Sequence, residues 1–130
     1  MKLKISIPIG DAFDKLSILE IKQLHAEDAK QISNILNEVD SLSSELESLW
    51  EGGGERLASI YKKLKATNLE LWGIEDSIRL KEKDRLFDEE FIQLARDVYY
   101  TNDRRCREKN EINDICGSDF HEEKIYQSYE

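Results

Sequence analysis

Three consecutive glycines, Gly52, Gly53 and Gly54, separate two long stretches with the same hydrophobic repeat, and this arrangement constrains the fold most. In both stretches apolar residues recur at alternating three- and four-residue spacing, which is typical of a coiled-coil seam. The first seam is Ile32, Ile35, Val39, Leu42, Leu46 and Leu49, and the second is Leu57, Ile60, Leu64, Thr67, Leu71, Ile74 and Ile78. A short glycine turn between two matched seams predicts a long antiparallel helical hairpin.

Further helical segments flank this hairpin. A first helix is predicted from the glycine-aspartate pair at residues 10 and 11, with Asp11 as its N-cap and Asp14 as a favourable charge in its first turn. Whether this helix continues into the hairpin or breaks near residues 26–29 stays open, because that interval is polar. A charged turn at residues 83–88 then precedes a third long helix, residues 91–116, which we expect to pack on the open end of the hairpin.

The two ends of the chain carry different signals. Leu3, Ile5, Ile7 and Ile9 alternate with polar residues or proline, which predicts a short strand-like segment that has no partner strand in the chain. At the other end, Gly117 stops the third helix. Asp119 and Glu122 have capping-box spacing, which predicts a short C-terminal helix.

Composition fits a single helical domain spanning residues 1–130. One proline, six glycines and 36% charged residues among 130 are typical of an all-α protein with no transmembrane helix and no signal peptide. Two cysteines with no CxxC spacing fit a reducing compartment, so we expect a cytoplasmic protein. The net charge of −9 argues against nucleic-acid binding, which depends on neutralising phosphates.

Polar residues interrupt the apolar stripes at positions that should face the core. Glu20 lies within the apolar arc of the first helix, and the stripe of the third helix changes from apolar to polar for about two turns. A carboxylate in such a place must be paired, hydrogen-bonded or protonated, since burying it alone is too costly. The predicted candidate site is Glu20, Asn68, Trp72, Glu75, Arg79, Asn102, Arg105 and Lys109.

Four stretches together resemble a known family. They are Ile7 to Gly10 leading into residues 14–22, then residues 68–79, then residues 100–113, and finally Glu122 to Tyr126. In these stretches the chain resembles the uncharacterised bacterial and phage family called domain of unknown function family 6165, from about residue 7 to residue 129. The resemblance implies a small helical protein and implies no activity.

Three functions are compatible with these patterns. The first is a cytoplasmic binding or adaptor module, in which Arg79, Arg105 and Lys109 hold a small anionic group and which has a protein partner or forms a homodimer. The second is an enzyme that acts on a small anionic metabolite, similar to a mutase or a nucleotide hydrolase. The third is a purely structural coiled-coil protein, whose buried charges form an ion-pair network that fixes helix register.

Other chemistry finds little support in the sequence. Glu108, Glu111 and Asp114 are spaced like magnesium ligands but lack a second carboxylate pair, so a solvated acidic face is the favoured interpretation. His25 and His121 have no nearby ligand set, and the glycines at residues 52–54 follow no strand, unlike a phosphate-binding loop. We therefore expect no metal and no cofactor.

Overall fold

The computed structural model describes all residues from Met1 to Glu130 and confirms an all-α fold. Helix α1 spans Ile9–His25, α2 spans Ala29–Lys83 and α3 spans Glu89–Cys116. No helix is long and apolar enough to cross a membrane. Each of the three helices packs against the other two.

Helix α2 bends back on itself, which confirms the predicted hairpin. Its backbone is helical throughout except at Gly54, whose φ of 55° is readily available only to glycine. Across the bend, the rings of Trp50 and Tyr61 lie 5.0 Å apart, although eleven residues of straight helix would separate them by about 16 Å. Farther along the two arms, Ile35 and Trp72 line one pocket. The turn is tighter than predicted, because Gly52 and Gly53 remain helical.

Helix α1 is separate from the hairpin, which settles the question of continuity. Ala26 is extended, and Asp28 caps α2 by accepting a hydrogen bond from the Gln31 N–H at 2.8 Å. The predicted cap of α1 was wrong. The helix already begins at Ile9 after Pro8, so the side chain of Asp11 is free to contact α3 instead.

Helix α3 lies along the whole second arm of the hairpin. The prediction that it packs only on the open end of the hairpin was therefore too narrow. At one end, Lys81 of α2 binds Asp88 at 2.9 Å, and at the other end Arg56 and Ile115 line one cleft. Asp88 caps α3 by accepting from the Phe91 N–H. Gly117 ends the helix in the left-handed conformation, as predicted.

The apolar core lies where all three helices meet. It consists of Phe13, Leu16, Leu46, Leu57, Ile60, Leu64 and Ile112. Val39, Leu42 and Leu49 pack against it, so the first seam is largely used within the chain. Gly10 lets α1 approach α3 closely, because a Cβ at this position would lie 2.2 Å from the carbonyl oxygen of Lys109.

Neither end of the chain forms the predicted regular structure. Residues 1–8 form no strand, because no other strand is available to pair with them. The predicted C-terminal helix was wrong, since residues 118–130 are not helical. A helix of this length is marginal in water, and α1 and α3 bind the polar groups of Ser118 and Glu122 instead. We call residues 118–130 the tail.

Candidate functional site

An ion pair between α1 and α3 forms the centre of the candidate site. Arg105 donates from Nε to Oδ1 of Asp14 at 2.9 Å and from Nη2 to Oδ2 at 2.6 Å. This is the fork geometry that makes arginine–carboxylate pairs strong. Asp14 is 5% exposed, so these donors take the place of the water that would otherwise solvate its carboxylate. The hydrogen bonds from Arg105 to Asp14 raise the pKa of the guanidinium above its ordinary value.

The second arm of α2 contributes the next partner of Asp14. The amide nitrogen of Asn68 donates to Oδ1 of Asp14 at 2.8 Å and lies 2.7 Å from the hydroxyl oxygen of Ser17. Ser17 in turn donates to the backbone oxygen of Asp14 at 2.7 Å. Asn68 and Ser17 are both buried. The Asp14 carboxylate is therefore held from two other helices, which fixes the position of α1 against both.

Lys109 forms a second ion cluster, about one turn farther along α3. Its Nζ lies 2.9 Å from Oδ1 of Asp11 and 2.8 Å from Oε2 of Glu122, which belongs to the tail. Both oxygens are buried and contact the ammonium without well-aligned hydrogen bonds. Burial lowers the pKa of Lys109, but Glu122 and Asp11 outweigh that effect and the net pKa is raised. The ammonium is therefore held in its charged form.

These side chains form one connected set, which we call the polar layer: Asp11, Asp14, Ser17, Asn68, Arg105, Lys109 and Glu122. It holds three carboxylates and two cations, so its formal charge is −1 when every group is ionised. A further anion could not enter without adding a second uncompensated charge. If Glu122 moved away, the layer would become neutral and Lys109 would regain a free side.

A smaller polar network continues the layer along α2 and α3. The hydroxyl of Thr67 donates to Oε1 of Glu108 at 2.6 Å and accepts from Nε of Arg104 at 3.2 Å, while Arg104 also pairs with Glu70. Glu108 is 9% exposed, so its predicted place on a solvated face was wrong. A buried hydroxyl on α2 donates a hydrogen bond to the Glu108 carboxylate, and spacing within α3 could not reveal that contact. Glu111 and Asp114 are exposed, as expected.

The structure brings together only part of the predicted site. Asn68, Arg105 and Lys109 belong to the polar layer, and Asn102 lies beside it, with its side-chain oxygen 3.4 Å from Arg105 Nη1. Glu20 lies elsewhere, where it accepts from Tyr61 and pairs with Lys65 at 3.0 Å.

The remaining predicted residues lie on the surface of α2. Trp72 stacks on His25, with ring centroids 4.7 Å apart, away from Arg105. Glu75 and Arg79 form only an exposed pair within α2, and the Arg79 side chain is 71% exposed. Four-residue spacing brought these two side chains onto a face of α2 that points to solvent.

Sequence reasoning missed three acidic members of the layer. Asp11 and Asp14 were interpreted through the start of α1, as a cap and as a first-turn charge. Their true partners, Lys109 and Arg105, are 98 and 91 residues away in the sequence. Asp14 follows Phe13 and lies three residues before Ser17, and this position beside two core-facing residues was a sequence signal that Asp14 is buried. Glu122 was missed because a helix was predicted there.

The tail reaches Lys109 because the Asn110 side chain holds its backbone. Asn110 Nδ2 donates to the carbonyl oxygen of Glu122 at 3.0 Å, and its Oδ1 accepts from the Glu122 N–H at 3.1 Å. The Nδ2 of Asn113 donates to the same Oδ1 at 3.0 Å, while Oδ1 of Asn113 accepts from the Gly10 N–H at 2.6 Å. The start of α1 therefore helps to orient the group that binds the tail.

Comparison of this chain with models of protein families, with curated proteins and with solved structures gives no match. The resemblance to family 6165 stays a prediction. What the chain does must therefore be inferred from the geometry of its own residues.

Proposed function

We propose that this chain is a binding module that recognises an anionic group through Lys109. One observation carries the proposal: the Lys109 ammonium, in a side chain 11% exposed, binds a carboxylate that comes from a non-helical segment and not from the helical bundle. Glu122 thus occupies the place that an external carboxylate or phosphate would take. The cation and its orienting partner, Asp11, are already in position without it.

Charge favours exchange over addition. With Glu122 bound, the polar layer carries a formal charge of −1, and a ligand carboxylate that replaces Glu122 restores that same charge. An exchange of one carboxylate for another breaks one ion pair with the Lys109 ammonium and forms another of the same kind, so the electrostatic energy of the layer changes little. Three cations were predicted to bind the anionic group. Only Lys109 remains a candidate, because Arg105 is paired with Asp14 and Arg79 lies on the surface.

The other candidate functions have less support. Self-association through the first arm of α2 would have to rely on the exposed Ile32 and Leu36, since most of the first seam packs on the chain's own core. An enzyme would need a group poised for chemistry beside a bound anion, and both cations of the layer already have carboxylate partners. A cytoplasmic location, a dimeric state and a protein partner stay predictions.

A thermal-shift screen tests the proposal. The variant Glu122→Ala removes the internal carboxylate, and Glu123→Ala is a matched control because that neighbouring side chain is exposed. We expect acetate, glutarate or inorganic phosphate to stabilise Glu122→Ala more than wild type, and the effect to vanish in Glu122→Ala with Lys109→Met. If none of these anions at tens of millimolar shifts the melting temperature of Glu122→Ala beyond that of Glu123→Ala, the proposal is wrong.

A further inference from the structure

The tail lies on one face of α3 whose side chains are regularly spaced. Tyr99, Asp103, Cys106 and Asn110 follow one another at four, three and four residues, which places them in a row along the helix. Near the C-terminal end of this row, beside Asn110, the ammonium of Lys109 binds Glu122. We call this face of α3, together with Lys109, the tail groove.

The central contact of the groove is made to peptide backbone. Asn110 binds both the N–H and the C=O of Glu122, so it satisfies both hydrogen-bonding groups of one residue in a non-helical segment. Contacts of this kind give affinity for an extended peptide whatever its side chains are, while neighbouring pockets give specificity. Asn113 contacts the same amide oxygen and is fully buried, so Asn110 is oriented before any peptide arrives.

Side-chain contacts follow at alternate residues of the tail. Glu122 binds Lys109, and Lys124 binds Oδ1 of Asp103 at 3.1 Å, while the intervening Glu123 is exposed. In an extended chain, residues two apart point to the same side, which matches this pattern. The groove thus places a cation opposite an acidic residue and a carboxylate opposite a basic residue two positions later.

An aromatic contact completes the groove. Tyr129 donates to Oδ2 of Asp103, and its ring lies 5.2 Å from the rings of both Tyr99 and Tyr100. The contact raises the pKa of the Tyr129 phenol to about 12. The groove therefore has positions for an acidic residue, for a basic residue two later, and for an aromatic residue five after that.

The tail does not fill this site as a core element would. Phe120 is 49% exposed, and Ile125 and Tyr126 are exposed at 91% and 84%, so the tail leaves most of its apolar surface in solvent. A cleft of about 660 Å³ remains between the tail and α3, lined in part by Tyr99 and Cys106. Polar contacts hold the tail in place, and those are the contacts that a competing peptide can reproduce.

We propose that the tail groove is a peptide-binding site for an extended segment with an acidic residue, any residue and then a basic residue. The tail is its intramolecular occupant, which a segment of another protein displaces. This inference rests on the proposed function, since Lys109 is the anion-binding group in both. It adds the class of ligand, which is a peptide and not a free metabolite.

The test is binding of a labelled synthetic peptide with the sequence of residues 119–130, measured by fluorescence anisotropy. The receptors are the full wild-type chain and the full chain with Glu122→Ala, Lys124→Ala and Tyr129→Ala, which weakens its own tail. A tethered tail competes at an effective concentration in the millimolar range, so we expect the triple variant to bind the peptide at least about tenfold more tightly than wild type.

Two controls define specificity. A peptide in which the residues at positions 122 and 124 are exchanged should bind the triple variant much more weakly. Adding Asp103→Asn to the triple variant should weaken binding of the normal peptide. If the triple variant does not fold, Lys124→Ala alone takes its place, because it removes a single ion pair in which each side chain keeps about a quarter of its surface in solvent, and the same order of affinities is expected.

The outcomes separate the two proposals. Equal affinity for wild type and variant, or no binding by a folded variant at about millimolar peptide, would overturn the peptide groove. If anions still stabilise Glu122→Ala in that case, the binding of an anion by Lys109 stands and the ligand is a small molecule. If neither the peptide nor any anion binds, both proposals fall and the tail is only a fixed strap.

Discussion

Replacing Gly10 by alanine should destabilise this protein, although the same change in most helices is favourable. An alanine Cβ would lie 2.2 Å from the backbone oxygen of Lys109 and 2.9 Å from its carbonyl carbon. A carbon normally approaches a carbonyl oxygen no closer than about 3.3 Å, so α1 must move away from α3 by about 1 Å. No side-chain rotation can relieve this contact, because the obstructing atoms are backbone.

The cost follows from that displacement. The hydrogen bond from the Gly10 N–H to Asn113 Oδ1, now 2.6 Å, would lengthen to about 3.6 Å and be lost. Overpacking costs about 1–3 kcal/mol, and an unsatisfied buried donor costs about the same. The higher helix propensity of alanine offsets at most about 1 kcal/mol of this loss. We expect Gly10→Ala to lower the free energy of unfolding by about 1–5 kcal/mol.

Urea unfolding followed by circular dichroism measures this change, and Gly73→Ala is the matched control. Gly73 lies within α2, and nothing lies within 4 Å of a Cβ placed there. That substitution should stabilise the protein by up to about 1 kcal/mol. If Gly10→Ala is as stable as wild type or more stable, the close approach of α1 to α3 is wrong, and the polar layer built on it must be placed differently.

Three further predictions concern the ion pairs. Arg105→Met should cost about 3–5 kcal/mol in urea unfolding, because it leaves the buried carboxylate of Asp14 without a cation, and a smaller loss would mean that Asp14 finds water. Arg79→Ala should change the free energy of unfolding by less than about 0.5 kcal/mol, and a larger loss would show that Arg79 makes a stabilising contact besides its exposed pair with Glu75. Hydrogen bonding from Tyr129 and then Lys124 lowers the pKa of Asp103, so these contacts are complete above the ordinary pKa of 3.8 and are lost as the pH falls through the lowered pKa of the folded chain. NMR signals of the Tyr129 ring should then shift towards those of a free peptide, and unchanged signals down to pH 2 would contradict this.

The sequence by itself determined the helices and the hairpin. Apolar spacing is a local property, so the seams on the two sides of Gly54 and the ends of α3 at Asp88 and Gly117 could be predicted from neighbouring residues. Residues that local reasoning placed on core-facing stripes, such as Asn68 and Arg105, do lie in the polar layer. The hydrophobic periodicity is therefore sufficient to predict the hairpin and some of the polar residues that face the core.

Only the tertiary structure decided which charges meet. Asp14 and Arg105 are 91 residues apart, and no periodicity within one helix indicates the rotation of another. For the same reason Glu75 and Arg79, which match the helical repeat equally well, face solvent, while Glu108 is buried against Thr67. Residues around Glu122 could have formed a helix, but binding to Asn110 and Lys109 satisfies their polar groups better than a short helix would. Burial and pairing depend on how helices pack, and packing is a property of the whole chain.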